Sequence, residues 1–145
     1  MKKAFPLLLL LIVQNCLAQK EPEFGLYFGN DFKSDSVTIL INSIQIVKNI
    51  KLRERMIDPK NLMIEQNSQK LIVQPYGEPS QILKKIQINQ SILSLDIYMN
   101  TSWRHVVIDL RKGKYLYAEY KFYRVGWSYF KILHIFQWKL PPLML

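Results

Sequence analysis

Short runs in which every second residue is apolar constrain the fold of this chain more than any other feature. The clearest run is residues 92–99, ILSLDIYM, in which the alternate residues from Leu93 to Met99 are all apolar. A period of two places such side chains on one face of a β-strand. Comparable runs recur at roughly 8–12-residue spacing, which is typical of an antiparallel β-sandwich or barrel.

The runs, and the turn residues between them, predict eight or nine strands in a single domain. We expect strands at residues 24–28, 36–41, 44–52, 71–74, 82–88, 92–99, 103–110, 115–123 and 127–138. Strands that each have one apolar face must pack face to face to bury it. We therefore predict an all-β fold, an antiparallel β-sandwich of immunoglobulin-like or C2-like type, with a small barrel as the alternative.

Two segments carry more local predictions. Asn42-Ser43 separates two apolar runs and predicts a tight hairpin turn, because Asn tolerates positive φ. The strand after this turn is expected to place four apolar side chains on one face: Ile44, Ile46, Ile50 and Leu52. Asp58-Pro59 predicts the start of a short helix over residues 58–65, because proline is favoured at the first helical position.

The first 18 residues have the layout of a secretory signal peptide. Two lysines precede an apolar run over residues 4–13, and Ala18 ends a polar segment with a small side chain suited to signal peptidase. We predict a signal peptide at residues 1–18 and one domain at residues 19–145, exported to the periplasm, the cell surface or the medium. An uncleaved membrane anchor and a lipoprotein acylated at Cys16 are the weaker alternatives.

Cys16 is the only cysteine of the chain, so cleavage after Ala18 leaves a mature protein without cysteine. The 127 of 145 residues that remain suit a single hydrophobic core. Such a domain contains no disulfide and no zinc-thiolate site. Exported domains of this size without disulfides are more typical of bacteria than of eukaryotes.

The chain is strongly basic, with a formal net charge of +9. Removing Lys2 and Lys3 leaves 18 of the 20 basic residues against 11 acidic ones, an excess of +7. Such an excess favours acidic partners, such as an anionic polysaccharide, lipid head groups or nucleic acid. The basic residues are scattered along the chain, which favours the alternative that the charge only keeps a small exported protein soluble, and we do not expect a nucleic-acid partner.

The candidate ligand contacts are aromatic and basic residues near the turn at Gly113. Tyr115, Tyr117 and Tyr123 share one face of a predicted strand, and Lys112 and Lys114 lie in the turn before it. Aromatic rings beside lysines stack on sugar rings or bases, although tyrosine also fills half-buried strand faces. These residues predict a contact surface for a protein or an acidic glycan.

No motif identifies catalytic, cofactor-binding or metal-binding residues, so we expect a non-enzyme without a cofactor. His105 and Asp109 are four residues apart, about 13 Å along a strand, which is too far for a hydrogen bond. Asp31 and Asp35 lack the alternating pattern of a calcium loop. The alternative is a small hydrolase in which Asp96 and Asp109 face one cleft within about 10 Å of each other.

Residues 127–138 are apolar on both faces of the expected strand. A central strand buried on both sides would explain this pattern. The alternative is that residues 127–145, which continue the apolar run, form a membrane-contact element that associates the protein with a membrane surface. Lys131, His134 and the pair Pro141-Pro142 argue against a spanning helix.

The order of these signals resembles small exported β-rich proteins of unknown function from Gram-negative bacteria. The resemblance covers residues 1–117 and rests on the lysine-rich leader, on residues 30–37, on the hairpin around Asn42 and on residues 108–115. Such proteins usually carry Gly after the hairpin Asn, where this chain has Ser43, and its C-terminal end does not match them. The resemblance implies no activity. We predict an exported, non-enzymatic binding or structural module.

Overall fold

A computed structural model describes residues 22–29, 32, 34–53, 61–100 and 102–141. The predictions for residues 1–18, Asp31 and Asp58-Pro59 lie outside these ranges, as does the end of the chain from residue 142. The described ranges form ten strands and no helix: β1 (Phe24–Phe28), β2 (Ser36–Ile41), β3 (Ile44–Lys51), β4 (Leu62–Gln66), β5 (Lys70–Pro75), β6 (Gln81–Lys84), β7 (Ile92–Met99), β8 (Ser102–Asp109), β9 (Tyr115–Val125) and β10 (Ser128–Trp138).

The strands form two separate sheets, which confirms the predicted sandwich over the alternative of a closed barrel. One sheet has six strands in the order β10-β9-β1-β4-β5-β6, and the other has four in the order β3-β2-β7-β8. Every pairing is antiparallel except that of β1 with β9, which is parallel. The sandwich is therefore mixed, because the long connection between β1 and β9 allows β9 to run alongside β1 in the same direction.

The core consists of the alternate residues that the two sheets turn toward each other. In β2 and β7 every second side chain is buried, as the period of two in the sequence predicts. β1 buries all five of its residues, because β4 and β9 flank it and both of its faces are covered. The largest fully buried side chains are Phe24, Phe28, Phe32, Leu26, Ile39, Ile41, Leu52, Leu62, Ile64, Leu71, Leu93 and Leu95.

The hairpin between β2 and β3 turns at Asn42-Ser43, as predicted. Both residues have positive φ, 49° for Asn42 and 65° for Ser43, which is the signature of a type I′ turn. The Asn42 side chain also bonds to residues beyond the hairpin. Its Nδ2 donates to the Gln87 carbonyl at 2.8 Å, and its Oδ1 accepts from Ser94 N at 2.9 Å. Asn42 thereby connects the hairpin to β7.

A β-bulge in the β2–β3 pair changes the face predicted for β3. The register shifts between Val37 and Leu40, and Asn49 adopts a φ of 52° opposite Thr38. Three of the four predicted side chains pack toward the core, with Leu52 buried and Ile46 and Ile50 half-buried. Ile44 is instead 53% exposed, and Val47 is buried in addition. The predicted face of alternating isoleucines assumed an uninterrupted strand, and the extra residue of a bulge breaks that alternation.

Three other predicted elements differ in the structure. Residues 62–66 form β4 rather than the second half of a helix, because β1 and β5 pair with this segment on its two edges. β6 ends at Lys84 instead of residue 88. β10 is the edge strand of the six-stranded sheet and not a central one, so burial on both sides does not explain its two apolar faces.

Candidate functional site

The predicted contact residues Tyr115, Tyr117 and Tyr123 share the outer face of β9, but the structure does not bring them together. Tyr115 is 4% exposed, Tyr117 is half-buried and stacks on Trp138, with their ring centroids 6.1 Å apart, and Tyr123 is 46% exposed. Eight residues separate Tyr115 from Tyr123, about 26 Å along a strand. The three rings therefore lie in three different environments.

The two predicted lysines lie in the turn before β9. Lys112 is exposed, and Lys114 is half-buried with its Nζ 5.7 Å from the centre of the Tyr115 ring. Lys114 therefore contacts a ring that is itself buried.

Two glycines, Gly25 of β1 and Gly29 directly after it, leave room for tyrosine side chains over the six-stranded sheet. A Cβ on Gly25 would collide with the ring of Tyr27, and a Cβ on Gly29 would collide with the hydroxyl of Tyr117. The Tyr27 ring therefore packs against Gly25, and the hydroxyl end of Tyr117 packs against Gly29. The Tyr27 hydroxyl donates to Glu65 Oε1 at 2.5 Å, and burial together with Glu65 raises the pKa of Tyr27 above its usual value.

Among the described residues, exposed large apolar side chains are most concentrated in the far part of the β9–β10 hairpin. We call residues 121–132 the aromatic hairpin. Seven of its side chains are 46–94% exposed: Phe122, Tyr123, Val125, Trp127, Tyr129, Phe130 and Ile132. They make up about half of all large apolar side chains that are exposed in the described residues. Soluble proteins rarely expose so many contiguous apolar groups unless they bind something.

The aromatic hairpin extends beyond the packed part of the sandwich. β1 pairs with β9 only from Tyr115 to Ala118, and beyond that point β9 pairs with β10 alone. Burial ends at Tyr120 and Leu133, which are 6% and 7% exposed. The five residues that follow Tyr120, up to Val125, carry the ribbon about 17 Å further.

The tip of the aromatic hairpin is a two-residue turn, Gly126-Trp127. Gly126 has a φ of 61° while Trp127 does not have a positive φ, which fits a type II′ turn with glycine at its first central position. This geometry leaves Trp127 94% exposed at the end of the ribbon. Trp127 is therefore the most exposed large apolar side chain in the described part of the chain.

Basic side chains accompany these rings, and the sequence has no acidic residue from Tyr120 to Lys139. The Arg124 guanidinium lies 5.9 Å from the Trp127 ring centre and 5.8 Å from that of Tyr129. Lys121 Nζ lies 4.6 Å from the ring of Phe136. The aromatic hairpin therefore combines apolar rings with positive charge.

A polar cluster lies where the aromatic hairpin leaves the sandwich. Asp35, 4% exposed, accepts a hydrogen bond from Asn100 Nδ2 and lies 3.5 Å from Lys131 Nζ. Tyr120 donates its hydroxyl hydrogen to Met99 Sδ. Burial and the nearby Asp35 together raise the pKa of Tyr120. The Asp35 carboxylate is therefore already bound by other residues of this chain. Across the described residues, no three acidic, histidine or cysteine side chains are grouped as a metal site would need.

A second exposed aromatic group lies on the outer face of the four-stranded sheet. Tyr98 and Trp103 have ring centroids 6.2 Å apart, and Trp103 and His105 have centroids 6.3 Å apart. His105 Nδ1 donates to Asp96 Oδ1 at 2.7 Å. We call Tyr98, Trp103 and His105 the Trp103 strip. It is not among the predicted sites. The sequence signal that could have found it is a two-residue loop at Asn100 between β7 and β8, because such a loop aligns Tyr98 with Trp103 and Asp96 with His105.

The structure keeps the carboxylates of the hydrolase alternative apart. Asp109 of β8 pairs with Ile92 of β7. Ile92 lies four residues before Asp96 on the same strand, so the two acids are about 13 Å apart along the sheet. Arg111 donates hydrogen bonds to Asp109 from its Nε and Nη2 atoms, both at 2.8 Å. This hydrogen bonding lowers the pKa of Asp109 to about 2, which leaves it a poor proton donor.

The comparisons with known proteins identify no relative. No family model matches the chain, and searches of curated proteins and of solved structures found no significant match. None of the residues that the structure describes forms a helix with the length and apolarity needed to cross a membrane.

Proposed function

We propose that this chain is an exported, non-enzymatic binding module and that the aromatic hairpin is its contact surface. The observation that carries the proposal is the exposure of seven large apolar side chains in residues 121–132. Keeping these groups in water is unfavourable, so a surface that covers them gains free energy from their burial. The export part of the proposal rests on the leader at residues 1–18.

The shape of the aromatic hairpin favours binding over catalysis. Enzymes gather polar groups in a concave site that excludes water. Here the apolar residues lie on a two-stranded ribbon with its tip at Trp127, which is a convex surface. Such a surface fits into or against a partner and does not enclose a substrate.

The Trp103 strip supports a second candidate function, the binding of an acidic glycan. Trp103 is 60% exposed and Tyr98 is 44% exposed, so both rings offer apolar surface for sugar rings. His105 and Asp96 add hydrogen-bonding groups beside them. The aromatic hairpin has more exposed apolar residues and more cations, so we place the principal contact there.

Photo-crosslinking in the producing cell tests the proposal, because a benzophenone captures partners of different chemical classes that lie within its reach. A benzophenone amino acid is placed at Trp127 in the aromatic hairpin, at Trp103 in the strip, or at Ile82 in β6. Ile82 is the control, because it is 64% exposed and lies far from both groups along the chain.

We expect adducts from position 127 and none above background from position 82. Adducts from position 103 alone would transfer the function to the strip and contradict the proposal. Equal yields at all three positions, or none at position 127, would also contradict it.

A further inference from the structure

We infer that the aromatic hairpin inserts its tip into the surface of an anionic lipid bilayer. The inference rests on the proposed function, because it names the partner of the same surface. It follows from three properties of residues 121–132: exposed apolar side chains lie on both faces, tryptophan and tyrosine are among them, and the charges are all positive.

The apolar side chains lie on both faces of the ribbon. The strand register places Phe122 and Tyr129 on the side that continues the core face, and Tyr123, Val125, Phe130 and Ile132 on the opposite side. A protein partner that packs on a sheet covers one of its faces. A bilayer surrounds an inserted tip and offers the same environment to both faces, so it accounts for the whole pattern.

The kinds of aromatic residue match the boundary between lipid and water. Tryptophan and tyrosine concentrate there because each combines an apolar ring with a polar hydrogen-bonding group. Trp127 is at the tip, and Tyr123 and Tyr129 follow within four residues of it on the two strands. Phe122 and Phe130 supply wholly apolar surface beside them.

The charge of the aromatic hairpin complements an anionic membrane. Lys121, Arg124 and Lys131 carry the only charges of residues 121–132, and all three are positive. Lys131 pairs with Asp35 at the base, so Lys121 and Arg124 are the residues whose charged ends reach lipid phosphates while their apolar stems stay buried. Arg124 already lies over the rings of Trp127 and Tyr129, so its charge accompanies the tip.

The geometry limits the contact to one leaflet. The ribbon extends about 17 Å beyond Tyr120, less than the roughly 30 Å of a hydrocarbon core. No described strand pairs with the outer edge of β10, and unpaired backbone groups at a sheet edge do not enter hydrocarbon. We therefore place the side chains of the tip in the interface between lipid and water, and the strand edges among the lipid head groups.

Vesicle co-sedimentation tests the inference with the purified exported protein. Vesicles of phosphatidylglycerol and phosphatidylcholine are compared with vesicles of phosphatidylcholine alone. The test variant carries Trp127→Ala and Phe130→Ala, and the matched control carries Trp103→Ala and Tyr98→Ala. All four are exposed aromatic residues, so equal thermal midpoints are expected and show that both variants fold.

The wild-type protein and the control should sediment with the anionic vesicles, and raised salt should weaken their binding. The test variant should lose binding by about tenfold or more, since two rings no longer enter the interface. Arg124→Gln should weaken binding to anionic vesicles only.

Failure to sediment with anionic vesicles, or equal binding by both variants, would overturn the inference. The crosslinker at position 127 distinguishes this failure from failure of the proposed function. If position 127 forms adducts with an acidic polysaccharide or with a second copy of the chain, and no vesicle binding occurs, the bilayer inference is refuted. The proposal that the aromatic hairpin is the contact surface then still stands. If position 127 yields no adduct in the cell and no vesicle binding occurs, both fail.

Discussion

Asp35 and Lys131 lie 3.5 Å apart at the base of the aromatic hairpin and connect the two sheets of the sandwich. Asp35 directly precedes β2 of the four-stranded sheet, and Lys131 belongs to β10 of the six-stranded sheet. The carboxylate side chain is 5% exposed, whereas the lysine side chain is 47% exposed. The contact is therefore asymmetric, because the acid depends on its partners more than the lysine does.

This asymmetry predicts unequal costs for two substitutions. Asp35→Ala removes the acceptor of Asn100 and Lys131 and should lower the free energy of unfolding by about 1–3 kcal/mol. Lys131→Ala leaves Asn100 bound to Asp35 and should cost about 0–1 kcal/mol, because the lysine end of the pair is open to water. Urea denaturation measures both values, and a larger loss for Lys131→Ala would contradict this assignment.

Ser43→Gly should stabilise the protein. Ser43 has a φ of 65°, and a non-glycine residue in the left-handed region costs roughly 1–2 kcal/mol. Glycine removes this cost but loses more conformational entropy on folding, so the net gain should be about 0.5–1 kcal/mol. Thermal unfolding measures it.

Ser102→Gly is the control for this substitution, because Ser102 lies in β8 and does not have a positive φ. It should destabilise the protein by about 0.5–1 kcal/mol. Stabilisation by both glycines would show that the turn geometry is not the cause.

Gly25→Ala should destabilise the protein because the new methyl group collides with the Tyr27 ring. Overpacking of this kind costs typically about 1–3 kcal/mol. The cost should shrink in a Tyr27→Ala background, where the ring is absent. A double-mutant cycle by urea denaturation checks this, and additive losses would exclude the contact as the cause.

The Asp109–Arg111 pair predicts a specific dependence on pH. The folded pKa of Asp109, about 2, lies below its ordinary 3.8, so its contribution to stability is present above 3.8 and is lost as pH falls toward 2. Arg111→Gln should return this pKa toward 3.8 and remove the dependence. NMR titration of the Asp109 carboxyl measures the shift directly, and the same pKa in both proteins would contradict the pairing.

Much of the fold follows from alternation and turn residues. The bounds of β1, β2 and β7 agree with the runs predicted at residues 24–28, 36–41 and 92–99. Those runs have a clean period of two and end at turn residues. The helix prediction is wrong over β4. It rested on the local signal Asp58-Pro59, whereas the pairing of β4 with β1 joins residues too distant in sequence for a local pattern to indicate.

The candidate site shows a different limit. The apolar faces of residues 127–138 are plain in the sequence, but the same pattern fits a buried central strand and an exposed edge strand. Only the order of strands, with β10 at the edge and β9 paired to β1 over Tyr115 to Ala118, distinguishes the two. Likewise, Tyr115 and Tyr123 share a face, and their different burial depends on what the rest of the sheet places beside them.

The most direct test of the account is the environment of Trp127 when the protein meets an anionic vesicle. A protein with Trp103→Phe and Trp138→Phe retains Trp127 as its single tryptophan. Its fluorescence should shift to the blue and be quenched by lipids brominated near the head of the acyl chain. A matched protein that retains only Trp103 should show neither effect. Unchanged Trp127 emission with vesicles bound, or equal quenching of both tryptophans, would contradict the account.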